Sequence, residues 1–181
     1  MVDDEVISQR DILVSAYMNI AMDSQKKLPA QLALTPSEIS KELNNLLVEL
    51  MVDQETPFIS PDETEKKSLE TLWKRLSTEP FAQKVSLKEK DVETIYLRKK
   101  RVGSFIDLKI STLVQTPSPE EIKSYFERNK SKFGNTPLDQ VSDNIKTFLM
   151  QNQRDAKLKA WYEGLRKKYR AQNYIAEKKD K

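Results

Sequence analysis

The sequence predicts a mainly α fold. The expected form is a compact multi-helix domain with a long C-terminal helix and a small two-stranded sheet formed by the N- and C-terminal segments. Three observations carry this. The chain holds only three glycines, Gly103, Gly134 and Gly164, so tight β-turns that need positive φ are scarce. Charged residues make up 33% and apolar residues 38% of the 181 positions, which suits amphipathic helices with wide solvated faces. Finally, a hydroxyl residue, a proline and then an acid recur at one spacing in "TPSE" (Thr35 to Glu38), "SPDE" (Ser60 to Glu63), "SPEE" (Ser118 to Glu121) and "TPLD" (Thr136 to Asp139). The hydroxyl can accept from free N–H groups, the proline fits the first helical position and the acid reaches back to the cap. All four read as helix starts, not as proline-directed phosphorylation sites.

Taken in order, Ser8 with Asp11 caps a first helix through Ile12, Ala16 and Ile20, which ends before Lys27-Leu28-Pro29. The helix from Thr35 carries Ile39, Leu43, Leu46, Leu47, Leu50 and Met51 at helical spacing. The helix from Ser60 carries Leu69, Leu72, Trp73 and Leu76. Ser86 and Glu89 box the start of a long helix toward Val114, which Gly103-Ser104 can bend. The helix from Ser118 ends at Gly134, expected as a left-handed cap. The last helix runs from Thr136 to about Tyr169, roughly 45–50 Å at 1.5 Å per residue.

The terminal segments "VDDEVI" and "AQNYI" are short and carry β-branched or aromatic members, so they are expected to pair as strands. The domain is placed over residues 1–176, with residues 177–181 as a disordered tail.

Function classes fall away by composition. No histidine or cysteine occurs, which excludes Ser-His-Asp and Cys-His catalysis and the usual zinc sites. The scattered glycines write neither a P-loop nor a dinucleotide fingerprint. No cofactor, metal or catalytic residue is assigned. The acids Asp3, Asp4 and Glu5 form the densest carboxylate cluster and read as solvated. A net charge of +3 demands no polyanionic partner. The basic runs "RKKR" (Arg98 to Arg101) and "RKKYR" (Arg166 to Arg170) read as solvated helix faces. "NKS" at Asn129 matches a glycosylation acceptor but falls on a helix. Met18 and Met22, one turn apart, read as core filling.

At both ends the chain resembles the SurA-type periplasmic chaperones, the parvulin-linked family that escorts outer-membrane proteins. "VDDEVISQRDI" is similar to that family's opening strand and first cap, here Ser8 and Asp11. "SPEEIKSYFERNKSKF" is similar to its helix of acid, aliphatic and paired aromatics, here Glu121, Ile122, Tyr125, Phe126 and Phe133. The segment from Pro137 through "AQNYI" resembles the long terminal helix and final strand. A parvulin isomerase domain usually separates the last two segments, and here "GNT" stands in its place.

The resemblance implies an ATP-independent chaperone that binds unfolded polypeptides, chiefly outer-membrane proteins. It implies no isomerase activity, no nucleic-acid partner and no stable membrane insertion. It implies a periplasmic location after removal of a leader, and it leaves room for a homodimer that exchanges a terminal strand. Phe58, Trp73 and Phe81 are the candidates for client contact; no residue is assigned to that role from sequence. The rival readings are a helical nucleic-acid-binding adaptor, which would use the basic runs, and a structural scaffold for one folded partner.

Overall fold

The computed structural model describes residues 6–56 and 60–172. Among these, the chain forms eight helices: α1 (Gln9–Ala21), α2 (Pro36–Asp53), α3 (Glu63–Leu76), α4 (Pro80–Lys84), α5 (Glu89–Leu113), α6 (Pro119–Arg128), α7 (Lys130–Phe133) and α8 (Leu138–Lys168). They fall into two compact units. Met1–Phe105 with Leu165–Lys181 make the first, and Ile106–Gly164 make the second. No helix is long and apolar enough to cross a membrane among the described residues.

Local chemistry starts several helices where the sequence places them. Ser8, Thr35 and Ser118 each form a reciprocal box with the acid three residues on. In the first, the Ser8 N–H donates to Asp11 Oδ2 at 2.8 Å while the Asp11 N–H donates to Ser8 Oγ at 3.3 Å. Each box satisfies N–H groups that have no partner within their own helix.

Elsewhere the start is displaced by one or two residues. The cap of α3 is Asp62 with Glu65, not Ser60 with Glu63. Its charged carboxylate accepts the Glu65 N–H at 2.7 Å, a stronger bond than a hydroxyl provides. The last helix begins at Leu138, where the Pro137 carbonyl accepts from the Gln140 N–H at 3.2 Å. Thr136 instead closes the preceding turn. At α5 the acid that returns to the cap is Asp91, accepting the Lys88 N–H at 3.2 Å.

Ser86 stands outside α5 because it ends α4. The Leu87 N–H donates to the Ala82 carbonyl and the Ser86 N–H to the Gln83 carbonyl, with Ser86 at φ 51°. This is a Schellman turn with a serine where glycine is preferred.

Gly134 is also corrected. Its φ of 57° is positive as expected, but its ψ is −123°, far from the left-handed helical well. The Thr136 N–H donates to the Phe133 carbonyl at 3.0 Å. Gly134 therefore occupies the first central position of a type II′ turn. The joint between α7 and α8 is built on this turn.

The expected two-stranded sheet is absent: no strand occurs among the described residues. Val6 and Ile7 at one end and Ala171 and Gln172 at the other are irregular; the rest of both segments, with the tail and Asp3 to Glu5, lies outside the described residues. Val6 is 74% exposed. The end of α8 is fastened instead to the turn after α2, where Lys168 Nζ and Tyr169 Oη both donate to Glu55 Oε1 at 2.5 Å. A second Schellman turn follows, with Arg170 at φ 46°. Two short strands without a third, or without an apolar cover, are marginal in water.

The core of the first unit joins Val14, Tyr17 and Met18 of α1 to Leu72 and Leu76 of α3, Phe81 of α4, Leu87, and Val92 and Tyr96 of α5. Tyr17 stacks on Phe81 with ring centroids 4.3 Å apart. Arg75 of α3 donates to the carbonyls of Ala21, Asp23 and Lys26, closing the C-terminal end of α1. α1 also packs on α2, whose Leu43, Leu46, Leu47, Leu50 and Met51 are buried.

In the second unit, the end of α5 is tied to α8. The Gln115 N–H donates to Gln153 Oε1 at 3.3 Å, and Lys157 Nζ donates to the Leu113 carbonyl.

Candidate functional site

The basic run of α5 faces inward along part of its length. Arg98 Nε and Lys99 Nζ donate to the two oxygens of Glu49 on α2, each at 2.7 Å. Arg101 pairs with Asp53 at 2.7 Å. Lys99 also donates to Ser15 Oγ at 3.2 Å, Ser15 donates to Glu42 Oε1 at 2.8 Å, and Asn19 donates to the same oxygen at 3.0 Å. A polar strip thus joins α1, α2 and α5. Only Lys100 of the run stays outside it, over the Tyr96 ring at 5.8 Å.

The second basic run reaches the same region, through Arg166 with Asn44 of α2 and Lys168 with Glu55 of the turn after it. The expectation of a solvated face is corrected for the first run, whereas Arg166, Lys167, Lys168 and Arg170 of the second are exposed as expected. Helix α2 places Glu49 and Asp53 on the face that covers the first run, because burying a cation is tolerated only with such a partner.

Ser15 and Lys99 have the spacing of a serine–lysine nucleophile pair. Their hydrogen bonds oppose that chemistry. With Lys99 donating to both Glu49 and Ser15, no nitrogen lone pair faces the serine hydroxyl to take its proton. Ser15 is also only 2% exposed.

A groove opens beside this strip, between α1, α2 and α5, with a cavity volume of about 330 Å³. Its floor is apolar, with Val14, Leu46 and Leu50 buried and Ile95 half-buried. Arg10, Lys90 and Arg98 contribute cations to the lining, and Asp11 and Asp91 contribute acids. Both acids are engaged locally. Asp11 accepts from the Ser8 N–H and hydroxyl, and Asp91 accepts from Arg10 and the Lys88 N–H. No group of three or more metal-ligating acids occurs among the described residues.

The second unit presents a different surface. Phe126 and Ile145 are the large hydrophobic side chains that it buries. Adjacent on α6, Tyr125 and Phe126 lie about 100° apart around the axis, so Phe126 turns inward while Tyr125 stays half-covered. Phe133 of α7 stacks on Phe126 with centroids 5.2 Å apart, and Tyr125 lies 5.3 Å from Phe148 of α8. Phe148 is 42% exposed, and Leu108 of α5 is 61% exposed. The result is an aromatic cluster open to solvent on one side.

Of the three sequence candidates for client contact, Phe81 is 3% exposed and belongs to the core. Trp73 is partly buried against that core. Phe58 lies outside the described residues. Sequence reasoning assigned Tyr125 and Phe133 to a helix pattern and did not single out Phe148. Their signal was the density of aromatics on either side of Gly134, which periodicity alone does not turn into a surface.

No family model, no curated protein and no solved structure matches the chain. The resemblance to SurA-type chaperones thus rests on the quoted terminal segments alone.

Proposed function

We propose that this chain is an ATP-independent binding protein for unfolded, extended polypeptides. The observation that carries the reading is the second unit's half-covered apolar surface around Tyr125, Phe133 and Phe148. An aromatic cluster left partly in water is costly, and a common use of such a surface is to bind apolar partners. Such contacts accept many sequences because they depend on area more than on hydrogen-bond pattern. Outer-membrane proteins as clients, and the periplasm as the compartment, enter the proposal through the resemblance of the terminal segments.

The nucleic-acid reading loses part of its support, because Arg98, Lys99 and Arg101 of the first basic run are paired with acids of α2. The deciding experiment is light scattering from an unfolded outer-membrane barrel protein diluted into buffer, without ATP, at low and at high salt. Suppression near stoichiometric protein, persisting at high salt, is expected, because apolar burial is little screened. Phe148→Ser should weaken it while leaving the denaturation midpoint nearly unchanged. Absence of suppression, together with DNA or RNA binding that collapses with salt, would transfer the chain to the adaptor class.

A further inference from the structure

We propose that Gly103 of α5 and Gly164 of α8 form a paired hinge, at which both helices bend and the two units reorient. The hinge stands apart from the reading of the chain as a polypeptide binder and needs no ligand.

Position singles these two residues out. Helices α5 and α8 each run unbroken from one unit into the other, α5 passing at Phe105 and Ile106 and α8 at Gly164 and Leu165. The chain has only three glycines, and two of them stand at these crossings. Gly103 comes two residues before Phe105, and Gly164 is itself the last residue of the second unit's stretch.

Nothing in the static fold asks for glycine at either place. Both are exposed, and neither has the positive φ that sets Gly134 apart. A Cβ at either would meet nothing within 4 Å, so no neighbour comes too close for a side chain. Glycine in a helix interior is nonetheless the least favourable choice after proline. What it gives in return is a wider range of φ and ψ. A glycine beside a serine, as at Gly103-Ser104, is also a common place for a helix to kink.

Side chains hold each helix on both sides of its glycine. Before Gly103, Arg98 and Lys99 pair with Glu49 and Arg101 pairs with Asp53. Beyond it, Lys109 lies over the Trp161 ring at 5.7 Å and the Leu113 carbonyl accepts from Lys157. Those same partners, Lys157 and Trp161, precede Gly164. After it, Leu165 is buried, and Lys168 and Tyr169 donate to Glu55. Bending therefore costs least at the two glycines, between the anchors of one unit and those of the other.

Hinge motions fall in the microsecond-to-millisecond range, which residual dipolar couplings of backbone amides average. Couplings measured on the whole protein in one alignment medium, fitted to each unit separately, should give alignment tensors of different magnitude. In the double variant Gly103→Ala/Gly164→Ala the two tensors should converge, and the melting temperature should rise by about 2–4 °C per substitution. Asn152→Ala, at an exposed site of α8 away from the crossing, should raise the melting temperature without moving the tensors. Equal tensors in the unaltered protein overturn the inference, as does a difference that survives both alanines. A double variant less stable than its parent would also overturn it, because the glycines would then serve a close approach.

Discussion

Lys99 Nζ lies 2.7 Å from Glu49 Oε2, joining residues 50 apart in sequence on α5 and α2. The other oxygen of Glu49 accepts from Arg98, so one carboxylate serves two cations. These side chains are 11–15% exposed. Removing the shared acid leaves two poorly solvated cations facing each other, and Glu49→Gln should destabilise the fold by about 2–3 kcal/mol. Lys100→Gln, in the same basic run, should change stability by less than about 0.5 kcal/mol, since Lys100 is exposed and makes only a 5.8 Å contact with the Tyr96 ring. Urea denaturation midpoints test the contrast. Equal effects at the two positions would mean that the strip contributes nothing special.

Tyr17 is fully buried, and its hydroxyl has no hydrogen-bond partner among the described residues. Burial, followed by the nearby Glu79 charge, pushes its phenol pKa up, with Arg75 opposing. A hydroxyl taken from water without a partner carries a desolvation cost. Tyr17→Phe keeps the stacking on Phe81 and should raise stability by about 1 kcal/mol. A loss of similar size would show that the hydroxyl is bonded in solution.

At Gly134 a Cβ would meet nothing within 4 Å, so any cost of substitution lies in the backbone. The conformation at φ 57° and ψ −123° is one that L side chains rarely adopt. Gly134→Ala should destabilise by about 1–3 kcal/mol, and Gly134→Val by more. An unchanged midpoint for Gly134→Val would rule out the type II′ turn between α7 and α8.

Ser86 is the reverse case. Its φ of 51° places a side chain in the left-handed region that glycine fills without penalty. Ser86→Gly should stabilise by about 0.5–1 kcal/mol, after allowing for glycine's extra freedom in the unfolded chain. Thermal unfolding of this variant checks the turn that ends α4, and a lower melting temperature would contradict it.

Glu38 should make the start of α2 sensitive to acid. The Thr35 N–H, and then its hydroxyl, hold the Glu38 carboxyl below its ordinary value of 4.5. A depressed folded pKa gives a contribution that is complete above the unfolded value and disappears as pH falls through the folded one. Hydrogen exchange in the first turn of α2 should therefore accelerate, beyond the chemical rate, below the usual carboxylate range. Glu38→Gln should flatten that response, and a turn that frays equally in both proteins would refute it.

Ser8 with Asp11, Thr35 with Glu38 and Ser118 with Glu121 were legible in the sequence because each box is closed within three residues. The apolar stripe of α2, from Leu43 to Met51, was legible because a helix repeats every 3.6 residues whatever it packs on. The short joint at Gly134 was visible too, although its turn type was not, since ψ depends on the hydrogen bond that closes the turn. Ser60 misled because Asp62 and Glu65 form a rival box two residues on, and Ser86 because it is taken up by the turn that ends α4, leaving Asp91 to accept the Lys88 N–H.

The sequence alone thus determined a helical chain, most of its helix positions and the lack of histidine and cysteine chemistry. Tertiary structure decided that Arg98, Lys99 and Arg101 turn toward Glu49 and Asp53, and that Phe81 enters the core while Phe148 stays in water. It also replaced the expected terminal sheet with the fastening of Tyr169 to Glu55. The reason is the range of the interactions. Caps and periodicity act within a few residues and carry their partners with them, whereas ion pairs across 48 to 50 residues exist only after helices meet. Which face of a helix is covered depends on its neighbour, so the same lysine run can read as solvated and fold as a buried strip.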